Sequence, residues 1–324
     1  MKAVYQDRYG PADVLQIREV EKPATASGHV LVKVRAASVN ALDWHTMSGK
    51  PFLARLMGGL SRPKRPIRGA DVAGVVESVG EGITRWKPGD EVFGTADGSF
   101  AEYAAAAEGN VAAKPPILTF EQAAAVPIAA FTALEGMRDH GELKAGQKVL
   151  VNGAGGGVGT FAVQIAKALG AEVIATTTTQ NLELIRSLGA SEVIDYTADD
   201  FTRGPRRYDV IFDLGANRPL RSYRRVLSPK GTYVMVGAPH GGSLRVVGRL
   251  LKIRLFSKLV SQRFRFFIAK GRDEDLVYLK DLLAAGKIVP VIDRTFPLSQ
   301  ASEAIRYVES GRAHGKVVLA VSSQ

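Results

Sequence analysis

The sequence predicts an α/β protein of two domains, one rich in β-strands and the other built on a doubly wound parallel sheet. Its 324 residues suggest two domains, since a domain commonly has about 150 residues. Hydrophobic residues make up 46% and charged residues 23%, a composition typical of folded chains and not of disordered ones. From residue 148 onward, short apolar runs alternate with helical runs, as in βαβ units around a parallel sheet.

The first 120 residues consist mainly of strand and turn signals. Apolar or β-branched runs bounded by turn residues predict three strands there: Val30–Ala36, Asp71–Val79 and Glu91–Phe93. The composition then becomes alanine-rich over Glu121–Met137, which predicts a helix with a break at Pro127.

The alternating region supplies the elements of the parallel sheet in chain order. The predicted strands are Val149–Val151, Glu172–Thr176, Val193–Ile194, Asp209–Leu214, Thr232–Val236 and Phe264–Ala269. The predicted helices are Gly157–Leu169, Leu182–Leu188, Leu220–Leu227 and Asp273–Ala285, and a closing strand follows at Lys316–Val321. Parallel strands joined through helices imply right-handed crossovers.

The glycine-rich turn after the first of these strands is the strongest local signal. Strand Val149–Val151 leads into Gly153–Gly159 (GAGGGVG), and an alanine-rich helix starts at once. Glycine lets the chain turn tightly and bring backbone N–H groups up to a pyrophosphate, and the helix N-terminus adds partial positive charge. The strand–turn–helix context predicts a dinucleotide site. The alternative is a glycine-rich turn without a ligand.

The residues after the second strand of this region indicate which dinucleotide binds. An NAD site usually has an acidic residue there, which accepts hydrogen bonds from the ribose hydroxyls. This chain has Thr176–Asn181 (TTTTQN) instead, so no carboxylate repels a 2′-phosphate, and hydroxyl and amide groups can donate to it. The run therefore favours NADP(H), although it contains no Arg or Lys. The alternative is that these threonines cap the helix that begins near Leu182.

The net charge of +11 is concentrated in three segments. Residues 50–68 carry six basic side chains and residues 244–270 carry eight, in both cases without an acidic one; residues 203–230 carry eight basic and two acidic side chains. The sequence has no cysteine, which excludes zinc fingers, and it shows no aromatic RNA-binding motif or basic tail. We therefore expect solvated faces and an anionic cofactor site rather than nucleic-acid binding.

Several short blocks follow one another in a fixed order along nearly the whole chain. They are Asn40–Trp44 (NALDW), Gly69–Gly80 (GADVAGVVESVG), Lys87–Gly94 (KPGDEVFG), Ala124–Pro127 (AAVP), Phe131–Leu134 (FTAL), the glycine turn, Gly286–Asp293 (GKIVPVID) and Gly315–Leu319 (GKVVL). In this order and spacing the chain resembles the zinc-independent medium-chain dehydrogenase/reductases of the quinone oxidoreductase branch, which includes zeta-crystallin-like proteins.

The resemblance implies a GroES-like substrate domain made of residues 1–122 and 270–324, and a Rossmann NADP(H)-binding domain made of residues 123–269, with the active-site cleft between them. Members of this branch are commonly homodimers that use NADPH to reduce quinones or α,β-unsaturated carbonyls. We therefore expect an NADPH-dependent oxidoreductase that transfers hydride to a small apolar quinone or enone.

The resemblance also implies roles for individual residues. Gly156, Gly157, Val158 and Gly159 would hold the pyrophosphate. Thr177 and Asn181 would lie at the adenosine phosphate, and Tyr196 against the adenine. Asn40 and Thr132 would lie at the nicotinamide end. The further residues expected to line the cofactor cleft are Gly237, Phe266, Phe267, Arg312 and His314.

A metal is not expected, because two kinds of zinc ligand are missing. Zinc-dependent members of the family bind the metal through cysteine and a Gly-His-Glu segment; here that segment is Gly69–Asp71 (GAD), and no cysteine exists. Conjugated carbonyls are then the better hydride acceptors, since the electrons delocalise onto an oxygen that a hydrogen bond can stabilise. Asn40 is expected to position the nicotinamide ribose or the carbonyl; the alternative is a turn amide at a strand end.

The N-terminal segment lacks the apolar core of a signal peptide, and the longest apolar stretch, Ala123–Leu134, is shorter than the roughly 20 residues that span a bilayer. We therefore expect a cytoplasmic protein. Two alternatives stay open: a non-catalytic NADPH-binding protein of the same fold, and peripheral association with an anionic membrane. The second rests on residues 244–260, where leucines and basic residues share a helical pattern; that helix would otherwise cover the cofactor cleft.

Overall fold

A computed structural model describes residues 1–50, 52, 55, 58–236 and 243–321, and the side chains of residues 243–245 lie outside this description. The chain divides into two units. The terminal unit comprises Met1–Ala129, Gly271–Gly286 and Pro290–Gln324, and the central unit comprises Ala130–Lys270 and Lys287–Val289. Residues from both ends of the sequence thus form one unit.

The terminal unit is built on β-strands. They are β1 (Lys2–Tyr5), β2 (Gln16–Glu19), β3 (His29–Val39), β4 (Asp71–Val79), β5 (Glu91–Thr95), β6 (Tyr103–Ala107), β7 (Val111–Ala113), β14 (Ile292–Pro297) and β15 (Lys316–Ala320). The larger sheet has the order β14-β15-β3-β4-β5-β7, with β6 paired to β3, and β1 pairs with β2. Strands β14 and β15 run parallel, whereas β3 is antiparallel to β15, β4 and β6.

Short helices close the terminal unit. They are α1 (Ala41–Ser48), α2 (Phe120–Ala124), α8 (Asp273–Ala284) and α9 (Ala301–Glu309), and a further helix, α3 (Pro127–Glu135), contains the boundary between the units. The core between the strands is rich in valine: Val30, Val32 and Val72 are fully buried. β-Branched side chains fit the half-buried surface of a sheet, and burying each one stabilises the fold by about 1.5–3 kcal/mol.

The central unit contains a six-stranded parallel sheet. Its strands are β8 (Lys148–Asn152), β9 (Glu172–Thr177), β10 (Glu192–Asp195), β11 (Tyr208–Asp213), β12 (Leu227–Met235) and β13 (Arg263–Phe266), in the order β10-β9-β8-β11-β12-β13. The chain therefore starts in the middle of the sheet and reverses its direction of growth between β8 and β11. Ligands of doubly wound sheets bind outside the carboxyl ends of the strands at such a point.

Helices α4 (Gly157–Ala168), α5 (Leu182–Ser187), α6 (Leu220–Val226) and α7 (Ser243–Leu259) connect these strands. Helix α4 buries Phe161, Ala162 and Ile165 completely. Tyr223 of α6 packs in the core against Tyr233 of β12, with the two rings tilted and their centroids 4.7 Å apart. Helices α4 and α6 thus pack on the parallel sheet.

The predicted α/β fold with a doubly wound sheet is confirmed. Strand Asp71–Val79 has the predicted bounds, and Pro127 begins a new helix, as the predicted break requires. The predicted strand Phe264–Ala269 is shorter than expected, because its ladder with β12 ends at Phe266. Strand β14 escaped prediction because it lacks an apolar run and none of its residues is buried.

Helix α7 covers most of the segment that the sequence suggested for a membrane surface. Three leucines one turn apart are exposed: Leu251 by 56%, Leu255 by 61% and Leu259 by 80%. Lys252, Arg254 and Lys258 on the same helix are exposed as well. In the ranges that the structure describes, no helix combines the length and the hydropathy needed to cross a membrane.

Candidate functional site

The glycine turn joins the end of β8 to the start of α4. Gly153 has φ +95°, a left-handed conformation that favours glycine. Its N–H donates to Thr176 Oγ1 at 3.2 Å, and the N–H of Ala154 donates to the carbonyl of Thr176 at 2.9 Å. The turn is therefore fixed to the neighbouring strand β9 by both the backbone and the side chain of one threonine.

Two glycines of this turn have different surroundings. A Cβ atom at Gly159 would lie 2.3 Å from the carbonyl oxygen of Gly153, so only glycine allows α4 to pack this closely on the turn. A Cβ at Gly156, the N-cap of α4, would meet no protein atom within 4 Å. Space is thus open at the helix N-terminus, beside the N–H groups of the first helical residues, and a pyrophosphate fits this arrangement.

Thr177 and Asn181 lie against the glycine turn, as the predicted adenosine-phosphate site requires. A Cβ at Gly155 would come within 2.7 Å of Thr177 Oγ1 and 2.5 Å of Asn181 Nδ2. Thr177 and Asn181 are buried, and among the described residues Thr178 Oγ1 is buried without a hydrogen-bond partner. Neutral donors therefore surround the end of β9, where an NAD site would carry a carboxylate.

Asp195, which lies beside Thr177 on the neighbouring strand, already has hydrogen-bond partners within the protein. It ends β10 and accepts hydrogen bonds from the hydroxyls of Thr179 and Thr197, which lower the pKa of its carboxyl group. The next residue, Tyr196, is 42% exposed, and its N–H donates to the carbonyl of Thr177 at 3.1 Å. Tyr196 thus lies beside Thr177, with much of its ring free to contact a ligand.

A buried polar network, which sequence reasoning missed, joins side chains of four strands of the central sheet, β8, β9, β11 and β12. Asp213 accepts hydrogen bonds from Asn152 Nδ2 at 2.7 Å and from the Tyr233 hydroxyl at 2.6 Å. Thr176 donates to Asn152 Oδ1 at 2.7 Å, and Arg249 of α7 donates to the Tyr233 oxygen at 3.0 Å. The network runs from the glycine turn to α7. Its one signal in the sequence is an acidic residue that ends an apolar strand.

The other predicted residues of the central unit lie on several elements. Phe267 follows β13 and stacks on His140, with ring centroids 4.3 Å apart, while Phe266 ends β13 and Thr132 belongs to α3. Burial lowers the pKa of His140. Gly237 lies outside the described residues.

In the terminal unit, Asn40 belongs to a buried charged cluster. Its Nδ2 donates to Asp71 at 2.8 Å, and its Oδ1 accepts a hydrogen bond from Lys316 Nζ at 2.6 Å. Asp71 is fully buried and also accepts hydrogen bonds from the hydroxyl of Ser38 and the N–H of Ile128. The Lys316 ammonium lies 3.4 Å from the Asp71 carboxylate. Strands β3, β4 and β15 meet at this cluster, which we call the Asn40 cluster.

Asp43 is the second carboxylate of the Asn40 cluster. It accepts a hydrogen bond from the N–H of Asn40 at 2.8 Å at the start of α1. Burial, with a smaller contribution from the negative charge of Asp71, raises the pKa of Asp43 to about 7. Burial likewise lowers the pKa of Lys316, against the attraction of both carboxylates. Sequence reasoning missed Lys316, although a lysine within the apolar run GKVVL was available as a signal.

These residues do not fit a zinc ion. The chain has no cysteine, and Asp71, in the segment that would hold a zinc ligand, is engaged by three protein donors and a lysine ammonium. Across the described ranges, no group of three His, Asp or Glu residues could hold a metal. The positive charge beside the Asp71 carboxylate is the ammonium group of Lys316.

Arg312 and His314 lie in the turn before β15. The N–H of His314 donates to Asp293 at 3.0 Å, and Arg312 Nε donates to Ser310 Oγ at 3.1 Å. The structure therefore places both residues in a hydrogen-bonded turn of the terminal unit.

Two models of known families match the chain. The one described as "Alcohol dehydrogenase GroES-like domain" matches residues 26–116, and the one described as "Zinc-binding dehydrogenase" matches residues 188–319. The word zinc is part of that family's description; this chain has no cysteine, and the residues that the structure describes contain no group that could hold a metal ion.

Two named proteins are similar to this chain over almost its full length. The chain is 36% identical to an NADPH-dependent alkenal/one oxidoreductase of Arabidopsis thaliana, over 98% of this chain and 79% of the relative. It is 34% identical to a chloroplastic quinone oxidoreductase of Triphysaria versicolor, over 98% of each. The structure of the quinone oxidoreductase from Coxiella burnetii superimposes with a TM-score of 0.87 at 32% identity, over 99% of both chains.

Proposed function

Because the chain belongs to the quinone oxidoreductase branch of the medium-chain dehydrogenase/reductase family, we propose that it uses NADPH to reduce a quinone or an α,β-unsaturated carbonyl. The protein is an oxidoreductase, and its cofactor is NADP(H). Two of its relatives are named for these acceptors, one as an alkenal/one oxidoreductase and the other as a quinone oxidoreductase.

The observation that carries the choice of cofactor is the set of neutral donors at the end of β9. The hydroxyl of Thr177 and the amide of Asn181 lie against the glycine turn at Gly155, and the next residue after Thr177 adds a buried hydroxyl, that of Thr178, which has no hydrogen-bond partner among the described residues. A 2′-phosphate brings negative charge, so donors stabilise it where an acidic residue would repel it. The open space at Gly156 is the corresponding place for the pyrophosphate.

NADPH, when bound, would supply a hydride for the β-carbon of an enone or for a quinone, and a proton from solvent or a weak acid would complete the two-electron reduction. The residues of the chain position the reactants. In this proposal Gly156–Gly159 hold the pyrophosphate and Thr177 and Asn181 hold the adenosine phosphate, with Tyr196 against the adenine. Thr132, Phe266 and Phe267 remain predicted contacts of the cofactor, as do Arg312 and His314.

Asn40 is proposed as a positioning residue. Its amide is held by Lys316 and Asp71, and its backbone N–H by Asp43, so the orientation of the side chain is fixed before any ligand binds. Preorganised dipoles cost no reorganisation when charge develops on an acceptor oxygen.

A panel of acceptors tests the proposal. NADPH oxidation is followed by absorbance with a simple quinone, an enone and a saturated ketone, and each assay is repeated with NADH. We expect turnover of the quinone or the enone with at least a tenfold preference for NADPH. NADPH binding without turnover of any acceptor would instead favour a non-catalytic cofactor-binding protein.

Variants at the end of β9 test the cofactor site. Thr177→Val and Asn181→Ala should each raise KM for NADPH at least tenfold and leave KM for NADH nearly unchanged, because a charge-assisted hydrogen bond contributes about 1.5–3 kcal/mol. Ser187→Ala, an exposed hydroxyl on α5, is the matched control. Equal effects on both cofactors would contradict the assignment of the 2′-phosphate site.

The family resemblance further leads us to propose a homodimer that acts in the cytoplasm. Strand β13 is an edge of the central sheet, and edge strands offer N–H and C=O groups for pairing with a second copy. Light scattering during size-exclusion chromatography would give the mass directly, and a monomer at micromolar concentration would contradict this part.

A further inference from the structure

A cavity of about 930 Å³ opens in the central unit between α7 and the segment that leads from β11 into α6. Its volume lies within the range of about 300–1,000 Å³ that is usual for ligand pockets. Residues 215–221 form one wall and residues on α7 from Gly248 to Leu259 form the other. None of the residues that line it belongs to the glycine turn at 153–159.

One part of the cavity wall is apolar. Leu220, Leu255, Phe256 and Leu259 line it. Leu255 and Leu259 are 61% and 80% exposed although they face a concave surface, so covering them would remove apolar area from water. Large exposed apolar areas on a folded protein commonly mark binding sites.

The other part of the wall is cationic, and the cavity lining contains no acidic residue. Arg218, Arg221, Arg249 and Lys252 contribute to it. Arg249 is held by Tyr233, but Arg221 and Lys252 have no ion pair in the part of the chain that the structure describes. The Arg218 guanidinium lies 3.9 Å from Asp200, and within the described residues its Nε is buried without a hydrogen-bond partner. The wall therefore has unused capacity for an anion.

We propose that this cavity binds an anionic amphiphile, with an alkyl chain against the leucines and a phosphate or carboxylate at Arg218, Arg221 and Lys252. Charge complementarity selects an anionic headgroup, because burying uncompensated like charges around a neutral ligand would be unfavourable. The concave shape favours a single molecule over a flat lipid surface. Leu251, Arg254 and Lys258 are exposed on the same helix but do not line the cavity.

Calorimetric titration of the full chain with dodecyl phosphate below its micellar concentration tests the proposal. We expect one site per chain, with an affinity at least tenfold higher than for inorganic phosphate or dodecyl maltoside, which supply only the headgroup charge or only the chain. Binding should persist at saturating NADPH, since the cavity does not include the glycine turn. Displacement by NADPH would assign the cavity to the cofactor site and overturn the proposal.

Paired variants on one helix locate the site. Lys252→Glu and Leu255→Glu should each weaken dodecyl phosphate binding at least tenfold. The matched controls Arg254→Glu and Leu251→Glu change the same residue classes on α7 outside the cavity, and should alter the affinity less than twofold. All four side chains are exposed, so thermal unfolding should stay within a few degrees of the wild-type protein and verify folding.

Vesicles of phosphatidylglycerol separate the two sources of an anionic headgroup. If the cavity is the site, the two cavity variants should lose affinity for dodecyl phosphate and the two controls should keep it, whether or not the protein binds vesicles. Binding to vesicles without binding of the monomer, or equal losses in the control variants, would indicate an extended membrane-facing surface on α7 and overturn the cavity assignment.

Discussion

Replacing Asp43 by asparagine should remove a loss of folding stability that the wild-type protein undergoes as pH rises. Asp43 is 4% exposed, and its raised pKa means that the folded protein holds the carboxyl proton more tightly than the unfolded chain does. The contribution of Asp43 to stability is therefore greatest at low pH and is lost as pH rises from the unfolded pKa of 3.8 towards the folded pKa of about 7. The asparagine side chain keeps an oxygen that can accept the hydrogen bond from the N–H of Asn40.

The size of the effect follows from the two pKa values. One pKa unit corresponds to about 1.4 kcal/mol, so the full shift costs the wild-type protein about 4 kcal/mol above pH 7. Most of this loss falls between pH 5 and pH 8, where the wild type should lose about 3 kcal/mol relative to Asp43→Asn.

Tryptophan fluorescence in urea measures this difference, because both tryptophans, Trp44 and Trp86, belong to the terminal unit. The free energy of unfolding is compared at pH 5 and pH 8 for the wild type, Asp43→Asn and the control Asp7→Asn. Asp7 is exposed, so its replacement removes a negative charge without removing a buried one. A difference between wild type and Asp43→Asn that is the same at both pH values would refute the reasoning.

Four further substitutions probe the described contacts. Gly159→Ala should lower the melting temperature, because its Cβ would overlap a turn carbonyl, whereas Gly156→Ala should leave stability unchanged and raise KM for NADPH; differential scanning fluorimetry and initial rates distinguish them. Lys316→Met leaves Asp71 without its cation and should cost about 3–5 kcal/mol in urea unfolding, and an unchanged midpoint would contradict the buried pair. Arg249→Met removes a charged donor to the central network and should cost about 2 kcal/mol, measured by circular dichroism, with Arg254→Met as the exposed control.

Elements with strong local periodicity could be predicted from the sequence. Strand β4 is bounded by glycines, and the strand–turn–helix at 149–169 combines an apolar run, glycines and an alanine-rich helix, so local chemistry alone determines them. Strand β14 could not be predicted, because its stability comes from pairing with β15 rather than from an apolar run of its own. Tertiary pairing of this kind leaves no periodic pattern in a single sequence.

The candidate site likewise has one part that could be predicted from the sequence and another that could not. The glycine turn at 153–159 and the threonine run at 176–181 are each a continuous stretch of sequence, and the spacing within and between them is itself the signal for a dinucleotide site. The Asn40 cluster and the network around Asp213 join side chains that are far apart in sequence, such as Asn40 and Lys316. Asp43 and Asp71, the two buried carboxylates of the Asn40 cluster, both accept hydrogen bonds from backbone N–H groups.

The contact between Asp71 and Lys316 also bears on how the chain folds as it is synthesised. The two residues are 245 positions apart, and the whole central unit is made in the interval. At a synthesis rate of about 5–20 residues per second, Lys316 is made on the order of ten seconds or more after Asp71. Until β15 emerges, an early terminal unit lacks a strand and holds an uncompensated charge, so the central unit should complete its fold first. A ribosome-bound chain that has emerged from the exit tunnel as far as about residue 290 should therefore resist protease in its central unit and be cleaved within its first 129 residues.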